Sequence, residues 1–217
     1  MGFNAGAGGR LVAGGDSVPV SPQPLPAPTA TGLMECGWPT TFSLQTDPTW
    51  VSGYYLLKIV RDDGLGQYVP FVVRADEHKG AAVVQASMET WQAYNDWQGE
   101  SLYVDVFGLS NSRAKEVSFD RPYIHGSGAG EFFACGEQNL VLWVESRGYD
   151  VTYLTNIDVE RSPALLLGQQ IFISSGHDEY WSRQGATFSV PLGIAAMPDG
   201  SLVVADEGGS TLRLLAR

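Results

Sequence analysis

Hydrophobic and polar positions fall into a strand pattern early in the chain. Residues 54–60 are rich in aromatic and β-branched side chains, and residues 68–74 repeat that pattern after a polar turn. Asp63 and Gly64 give the turn the chemistry of a somewhat lengthened hairpin connection. Pro70 donates no ladder hydrogen bond, so the second run belongs at a sheet edge or at a bulge. The pattern predicts a β-hairpin.

Short apolar runs then alternate with helical patterns. Residues 82–86, 150–155 and 170–175 have the composition of short buried strands. Residues 131–147 carry apolar side chains at three- and four-residue spacing, and residues 158–167 are predicted as a shorter helix. Strands and helices that alternate in this way are typical of a parallel sheet covered by helices. The sequence therefore predicts an α/β fold.

Changes in composition divide the chain into four predicted segments. Residues 1–36 are rich in glycine, alanine and proline and are predicted as a disordered or linker lead-in. Residues 37–80 contain the hairpin region, and residues 81–186 contain the α/β domain, with one further strand predicted at residues 102–106. Residues 187–217 hold short apolar runs around a Pro-Asp-Gly turn, which predicts an antiparallel β tail.

The charge and the cysteine content exclude several classes of function. The formal net charge is −11, which disfavours nucleic acid or an anionic membrane surface as a partner. Cys36 and Cys135 lie far apart, and neither belongs to a C-x-x-C pair, so the spacing supports neither a zinc motif nor a disulfide framework. No apolar run reaches the length of a membrane span, and the first residues lack the apolar core of a signal peptide. These features predict a cytoplasmic location.

Three polar side chains follow the last predicted strand of the α/β segment. His177, Asp178 and Glu179 come directly after the small residues that end the apolar run. In an open α/β sheet, ligands bind beyond the carboxyl ends of the strands. If the chain stays extended there, side chains alternate and His177 and Glu179 share one side. On spacing alone, a solvated polar loop is the favoured interpretation, because functional carboxylates are the minority.

Six motifs in order along the chain carry a resemblance to a known family. They are residues 52–55, 68–74, 90–97, 117–123, 148–153 and 176–181. Together they resemble the catalytic C-terminal domain of the large (beta) subunit of N,N-dimethylformamidase, over about residues 50–181. The resemblance implies a glutamine-amidotransferase-like (flavodoxin-like) parallel sheet, which is incomplete in this chain.

The resemblance also implies a mononuclear ferric iron held by two tyrosines and one glutamate. The matching positions are Tyr94, Glu179 and Tyr55, with Tyr54 as the alternative to Tyr55. His177 and Glu179 are the implied catalytic residues, and Asn95 and His177 the implied substrate-binding residues. Phenolate and carboxylate oxygens are hard donors that suit a trivalent ion. The implied reaction is hydrolysis of a small N-substituted formamide to amine and formate, with self-association or a small-subunit partner.

The match ends soon after residue 181, where the resemblance implies further helices and strands. The tail is similar instead to one blade of an NHL-type β-propeller, and one blade cannot close a propeller. One alternative is therefore a truncated, non-catalytic remnant or binding module of the same fold. A carbohydrate- or partner-binding β protein is a third hypothesis, suggested only by the aromatic residues and the tail. Tyr94, Tyr55 and Cys135 also have ordinary interpretations as packing residues.

Overall fold

The structure, a computed structural model, describes residues 4–15, 17–103, 113–124 and 127–180, and the backbone of three strands between residues 191 and 215. The predicted hairpin is confirmed. Strand β1 (Gly53–Val60) pairs antiparallel with β2 (Gly66–Val73), and the register sets Gly53 opposite Val73 and Leu56 opposite Pro70. Among the described residues this sheet has two strands, so Pro70 lies on an edge strand as its chemistry requires.

A second sheet carries the α/β part of the fold. Strands β3 (Ala82–Ala86), β4 (Val151–Thr155) and β5 (Ile171–Ser174) are parallel and lie in the order β4-β3-β5. All five residues of β3 are buried, as expected of a central strand with covered faces. The predicted parallel α/β sheet is therefore present. The more specific glutamine-amidotransferase-like fold stays a prediction.

In the part of the chain that the structure describes, four short α-helices accompany this sheet: α1 (Met88–Ala93), α2 (Ala129–Ala134), α3 (Glu137–Ser146) and α4 (Asn156–Arg161). Single-turn 3₁₀ helices occupy Asn4–Gly6, Trp97–Gly99 and Pro163–Leu166.

The prediction of a single helix at residues 131–147 is wrong. Gly136 separates α2 from α3 with a φ of +90°, a left-handed conformation that glycine adopts without strain. The helix predicted at residues 158–167 is also shorter than expected. A reciprocal capping box between Thr155 and Asp158 begins α4 two residues earlier, and Arg161 ends it. Pro163 then starts a separate 3₁₀ turn.

The hairpin and the parallel sheet share one hydrophobic core. Tyr54 of β1 packs with Val84 of β3 and with Trp91 of α1, and all three side chains are fully buried. Side chains alternate along β3, so Val83 points to the opposite face and joins a smaller cluster with Leu154 and Val159. The two faces of the sheet are thereby both covered.

The remaining predicted segments have mixed outcomes. The tail contains three antiparallel strands, β6 (Pro191–Ala196), β7 (Leu202–Asp206) and β8 (Thr211–Leu215), and its likeness to a propeller blade stays a prediction. In the predicted lead-in, Met34 is buried, and the segment boundaries stay predictions. The strand expected at residues 102–106 lies largely outside the described residues. Among those residues, no helix is both long and apolar enough to cross a membrane.

Candidate functional site

The parallel pairing of β3 and β5 brings two distant parts of the chain to one edge of the sheet. Both strands end at this edge, where α1 follows β3 and the loop of residues 175–180 follows β5. The backbone N–H groups of Glu179 and Tyr180 donate to Oγ1 of Thr90 in α1, at 3.0 and 2.9 Å. This anchoring fixes the loop beside Tyr94, the residue that ends α1.

Two tyrosine hydroxyls converge on one oxygen of Glu179. Tyr94 and Tyr103 each donate from Oη to Glu179 Oε2 at 2.8 Å. Nε2 of His177 lies 3.3 Å from the same oxygen, and the Tyr180 and Tyr103 hydroxyls are 2.8 Å apart. We refer to these five residues as the tyrosine–glutamate cluster.

Ring contacts hold the cluster together. Tyr94 stacks on Tyr103 with ring centroids 4.2 Å apart and an interplanar angle of 24°. The His177 ring lies 4.8 Å from the Tyr94 ring, and Tyr180 meets Tyr103 edge-to-face at 6.3 Å. Such aromatic pairs contribute beyond the area they bury, so the hydroxyls are held in place by packing as well as by hydrogen bonds.

The environment of the cluster raises the pKa values of Tyr94 and Tyr103. Desolvation, and to a smaller extent the Glu179 carboxylate, raises the pKa of Tyr94 to about 12, and desolvation raises the pKa of Tyr103 further. Within the described part of the chain, no lysine or arginine forms an ion pair with Glu179. A cation among these oxygens would reverse both effects by stabilising the phenolates. The His177 and Glu179 side chains are 38% and 36% exposed, so solutes reach them from solvent.

Asp178 supports the loop from the other side. It accepts from Gln85 Nε2 at 2.7 Å and from Ser174 Oγ at 2.6 Å. Desolvation raises the pKa of this carboxyl to about 6. As predicted, His177 and Glu179 lie on one side of the loop, in the cluster. Asp178 lies on the other side and fixes the end of β5.

Gly176 lets the loop approach the core closely. Its φ is +72°, and a Cβ at this position would lie 2.5 Å from Cγ of the buried Glu137. Any other residue would meet both a backbone strain and a steric overlap there. The position of His177 thus depends on a glycine directly before it.

Tyr54 and Tyr55 do not join the cluster. Tyr54 is buried in the core and donates to Glu137 Oε2 at 2.8 Å. Tyr55 donates to the Val51 carbonyl at 2.8 Å, and its ring stacks on Trp50 at 5.0 Å. It borders a separate cavity of about 330 Å³. The structure therefore brings Tyr94 and Glu179 together without the Tyr55 that the resemblance implies.

Asn95 is a buried structural residue in this arrangement. Its Nδ2 donates to Gln92 Oε1 at 2.7 Å and to the Pro122 carbonyl at 2.9 Å, and its Oδ1 accepts from the Ile124 amide at 3.0 Å. Its side chain has no exposed surface. These bonds fix the turn that follows Tyr94, and the substrate contact predicted for Asn95 stays a prediction.

Sequence reasoning missed Tyr103 and Tyr180. Tyr103 lies in the strand predicted at residues 102–106, and Tyr180 directly follows Glu179 in the last of the six motifs. No local spacing links Tyr103 to Glu179, since the contact depends on how the chain returns after α1. A tyrosine next to the glutamate was the available signal for Tyr180.

Comparison with known proteins identifies the family. No curated protein matches the chain. A family model described as N,N-dimethylformamidase beta subunit-like, C-terminal, matches residues 1–188, a longer stretch than the residues 50–181 on which the motifs lie. The match covers most of the chain and includes every residue of the tyrosine–glutamate cluster. The chain belongs to the N,N-dimethylformamidase beta subunit-like, C-terminal family.

Proposed function

We propose that this chain hydrolyses the C–N bond of a small N-substituted formamide and releases an amine and formate. The observation that carries the proposal is the convergence of the Tyr94 and Tyr103 hydroxyls on Glu179 Oε2, with His177 3.3 Å away. Amide hydrolysis needs a group that polarises a carbonyl and a group that moves a proton. The family points to the same reaction class.

The donor set fits a hard cation. Tyr94, Tyr103 and Glu179 offer two phenol oxygens and one carboxylate, which suit trivalent iron better than a soft ion. We assign the ferric ion implied by the family to these three residues, with Tyr103 in the position first predicted for Tyr55. When bound, the ion would supply Lewis acidity toward the amide carbonyl.

His177 is the proposed proton carrier. Water gives its hydroxyl to the formyl carbon and its proton to His177. His177 returns the proton to the amine nitrogen as the C–N bond breaks, so the immediate products are formic acid and a neutral amine. The acid then releases its proton to solvent and leaves as formate. The Glu179 carboxylate beside Nε2 stabilises the imidazolium between these two transfers.

The remaining residues of the cluster orient the reacting groups. Tyr180 is hydrogen-bonded to the Tyr103 hydroxyl, and the Thr90 hydroxyl accepts from the backbone that carries Glu179. Partial exposure of His177 and Glu179 gives a small substrate access. Self-association or a small-subunit partner stays a prediction.

The test is metal analysis and visible absorption of protein purified and reconstituted with ferric iron. We expect about one iron per chain and a tyrosinate-to-iron absorption band that is lost in Tyr94→Phe and Tyr103→Phe. Tyr55→Phe is the matched control and should keep the band. Loss in Tyr55→Phe with retention in Tyr103→Phe would restore the ligand set predicted from the sequence.

Formate release from small N-substituted formamides tests the reaction itself. His177→Gln should keep the iron band and lower kcat by roughly a hundredfold or more, as expected for loss of a proton carrier. A protein that stays iron-free and colourless after reconstitution contradicts the metal assignment. Iron-loaded protein that releases no formate supports the alternative of a non-catalytic binding module.

A further inference from the structure

A second set of ligand-type side chains shares His177 with the tyrosine–glutamate cluster and adds two residues from outside it. One ligand atom each from Glu131, Cys135 and His177 lies within 4.8 Å of the others. The Cys135 thiol also donates to Glu131 Oε2, at 2.8 Å. All three side chains are partly buried, so they are reachable from solvent and partly desolvated.

Two elements of the fold bring this set together. Glu131 lies in α2 and Cys135 ends that helix, and residues four apart share one face of a helix. The close approach of Gly176 delivers His177, because an added Cβ at Gly176 would lie 3.1 Å from the Cys135 carbonyl oxygen. Gly136, which separates α2 from α3, follows Cys135 directly.

We propose that Glu131, Cys135 and His177 form a second metal site that takes a borderline divalent cation of the Zn²⁺ class. Thiolate, imidazole and carboxylate are the ligands that zinc uses, and three protein ligands leave a fourth position open. The tyrosine–glutamate cluster offers only hard oxygen donors besides His177, so the two sets select different ions. The proposal does not depend on the hydrolase function, but a cation bound to His177 would prevent this ring from carrying the proton in hydrolysis.

Cation binding at this site requires Cys135 to lose its proton. Burial raises the pKa of this thiol to about 12, and the hydrogen bond to Glu131 raises it as well. A free thiol in this state is a poor nucleophile, which argues against a cysteine-based reaction. A bound cation stabilises the thiolate and releases the proton to solvent, so binding should strengthen as the pH rises.

The experiment is titration of the purified chain with Co²⁺, the spectroscopic substitute for Zn²⁺. We expect one Co²⁺ per chain at this site, a thiolate-to-cobalt absorption band in the near ultraviolet, and loss of the band when Zn²⁺ is added. Cys135→Ser should abolish the band. Cys36→Ser, which changes the other cysteine, is the matched control and should keep it.

Two further variants keep the test decisive. Glu131→Gln should weaken Co²⁺ binding by roughly tenfold or more without removing the thiol, which covers the case in which Cys135→Ser fails to fold. Tyr103→Phe should keep the cobalt band, which separates this site from the proposed iron site. The proposal is overturned if the wild-type chain gives no thiolate band, if Cys36→Ser removes the band, or if Glu131→Gln binds Co²⁺ as well as the wild type.

Discussion

Two pairs of tyrosines show that closeness in sequence and closeness of the hydroxyl groups in space can differ. Tyr54 and Tyr55 are adjacent on β1, yet one hydroxyl contacts a buried carboxylate and the other a backbone carbonyl near the start of the strand. Tyr94 and Tyr103 are further apart in sequence, yet their rings stack and their hydroxyls share one oxygen. Strand alternation separates neighbours, whereas the edge of a parallel sheet collects residues from different loops.

Glu137 connects the two regions. Its carboxylate accepts from Tyr54 at 2.8 Å and from Trp91 Nε1 at 3.0 Å, both in the core. Its Cγ lies directly beneath Gly176, whose loop carries His177 and Glu179. Changes at this contact therefore act on the core and on the candidate site together.

The largest loss of stability should come from Gly176→Ala, which disrupts the close contact between Gly176 and Glu137. The new methyl group meets the Glu137 side chain at a backbone angle that alanine disfavours, so we expect a loss of about 2–5 kcal/mol in the free energy of unfolding. Urea unfolding measures it. Gly130→Ala is the control, because no atom lies within 4 Å of its added Cβ and helix α2 favours alanine. Equal stability of the two variants would contradict the close packing of the loop.

The next effect is a pH dependence that originates at Glu137. Desolvation raises the pKa of this carboxyl to about 8, from 4.5 in the unfolded chain. The folded state thus binds the proton more tightly, and the resulting stability is present below pH 4.5 and is lost as the pH rises through about 8. We expect the free energy of unfolding to fall by roughly 2–4 kcal/mol between pH 5 and pH 8.5.

Glu137→Gln should flatten this pH dependence, as measured by urea unfolding at several pH values. Asp178, whose pKa desolvation raises to about 6, contributes in the same direction over a lower range, so some slope below pH 6 should remain in the variant. An unchanged slope above pH 6.5 in Glu137→Gln would show that other groups cause the effect.

The smallest losses of stability should come from removing the hydroxyl groups of Tyr54 and Tyr55, and the two losses should differ. Tyr54→Phe removes a donor from the fully buried Glu137 carboxyl group, which should cost about 1.5–3 kcal/mol. Tyr55→Phe removes a single bond to a partly buried carbonyl and should cost about 0.5–1.5 kcal/mol. Thermal or urea unfolding of the two variants gives the comparison. A larger loss of stability in Tyr55→Phe than in Tyr54→Phe would contradict the placement of the Tyr54 hydroxyl in the core and of the Tyr55 hydroxyl nearer the surface.

Much of the fold was predictable because local patterns specify it. The hairpin has a turn sequence between two β-rich runs, and the three parallel strands are short apolar runs with helical segments between them. The helix at residues 131–147 was predicted as one piece because apolar spacing continues through Gly136. The left-handed conformation of that glycine, and the packing of α2 against the loop after β5, do not appear in hydrophobic spacing.

The candidate site was predictable in part. The motifs identified Tyr94, His177 and Glu179, and the structure brings these three together. The resemblance implies Asn95 as a substrate-binding residue, which stays a prediction, and the structure adds three internal hydrogen bonds that its sequence position does not show. Tyr103 was missed because its contact with Glu179 depends on the return of the chain after α1.

The sequence by itself determined the family, the strand and hairpin pattern, and the loop after β5 that carries His177, Asp178 and Glu179. These features depend on side-chain types at short spacing, which local chemistry specifies. Only the tertiary structure decided which tyrosines reach Glu179, and that Cys135 lies beside His177. Such contacts join residues far apart in sequence, and they depend on strand order, on the break at Gly136 and on the close approach at Gly176.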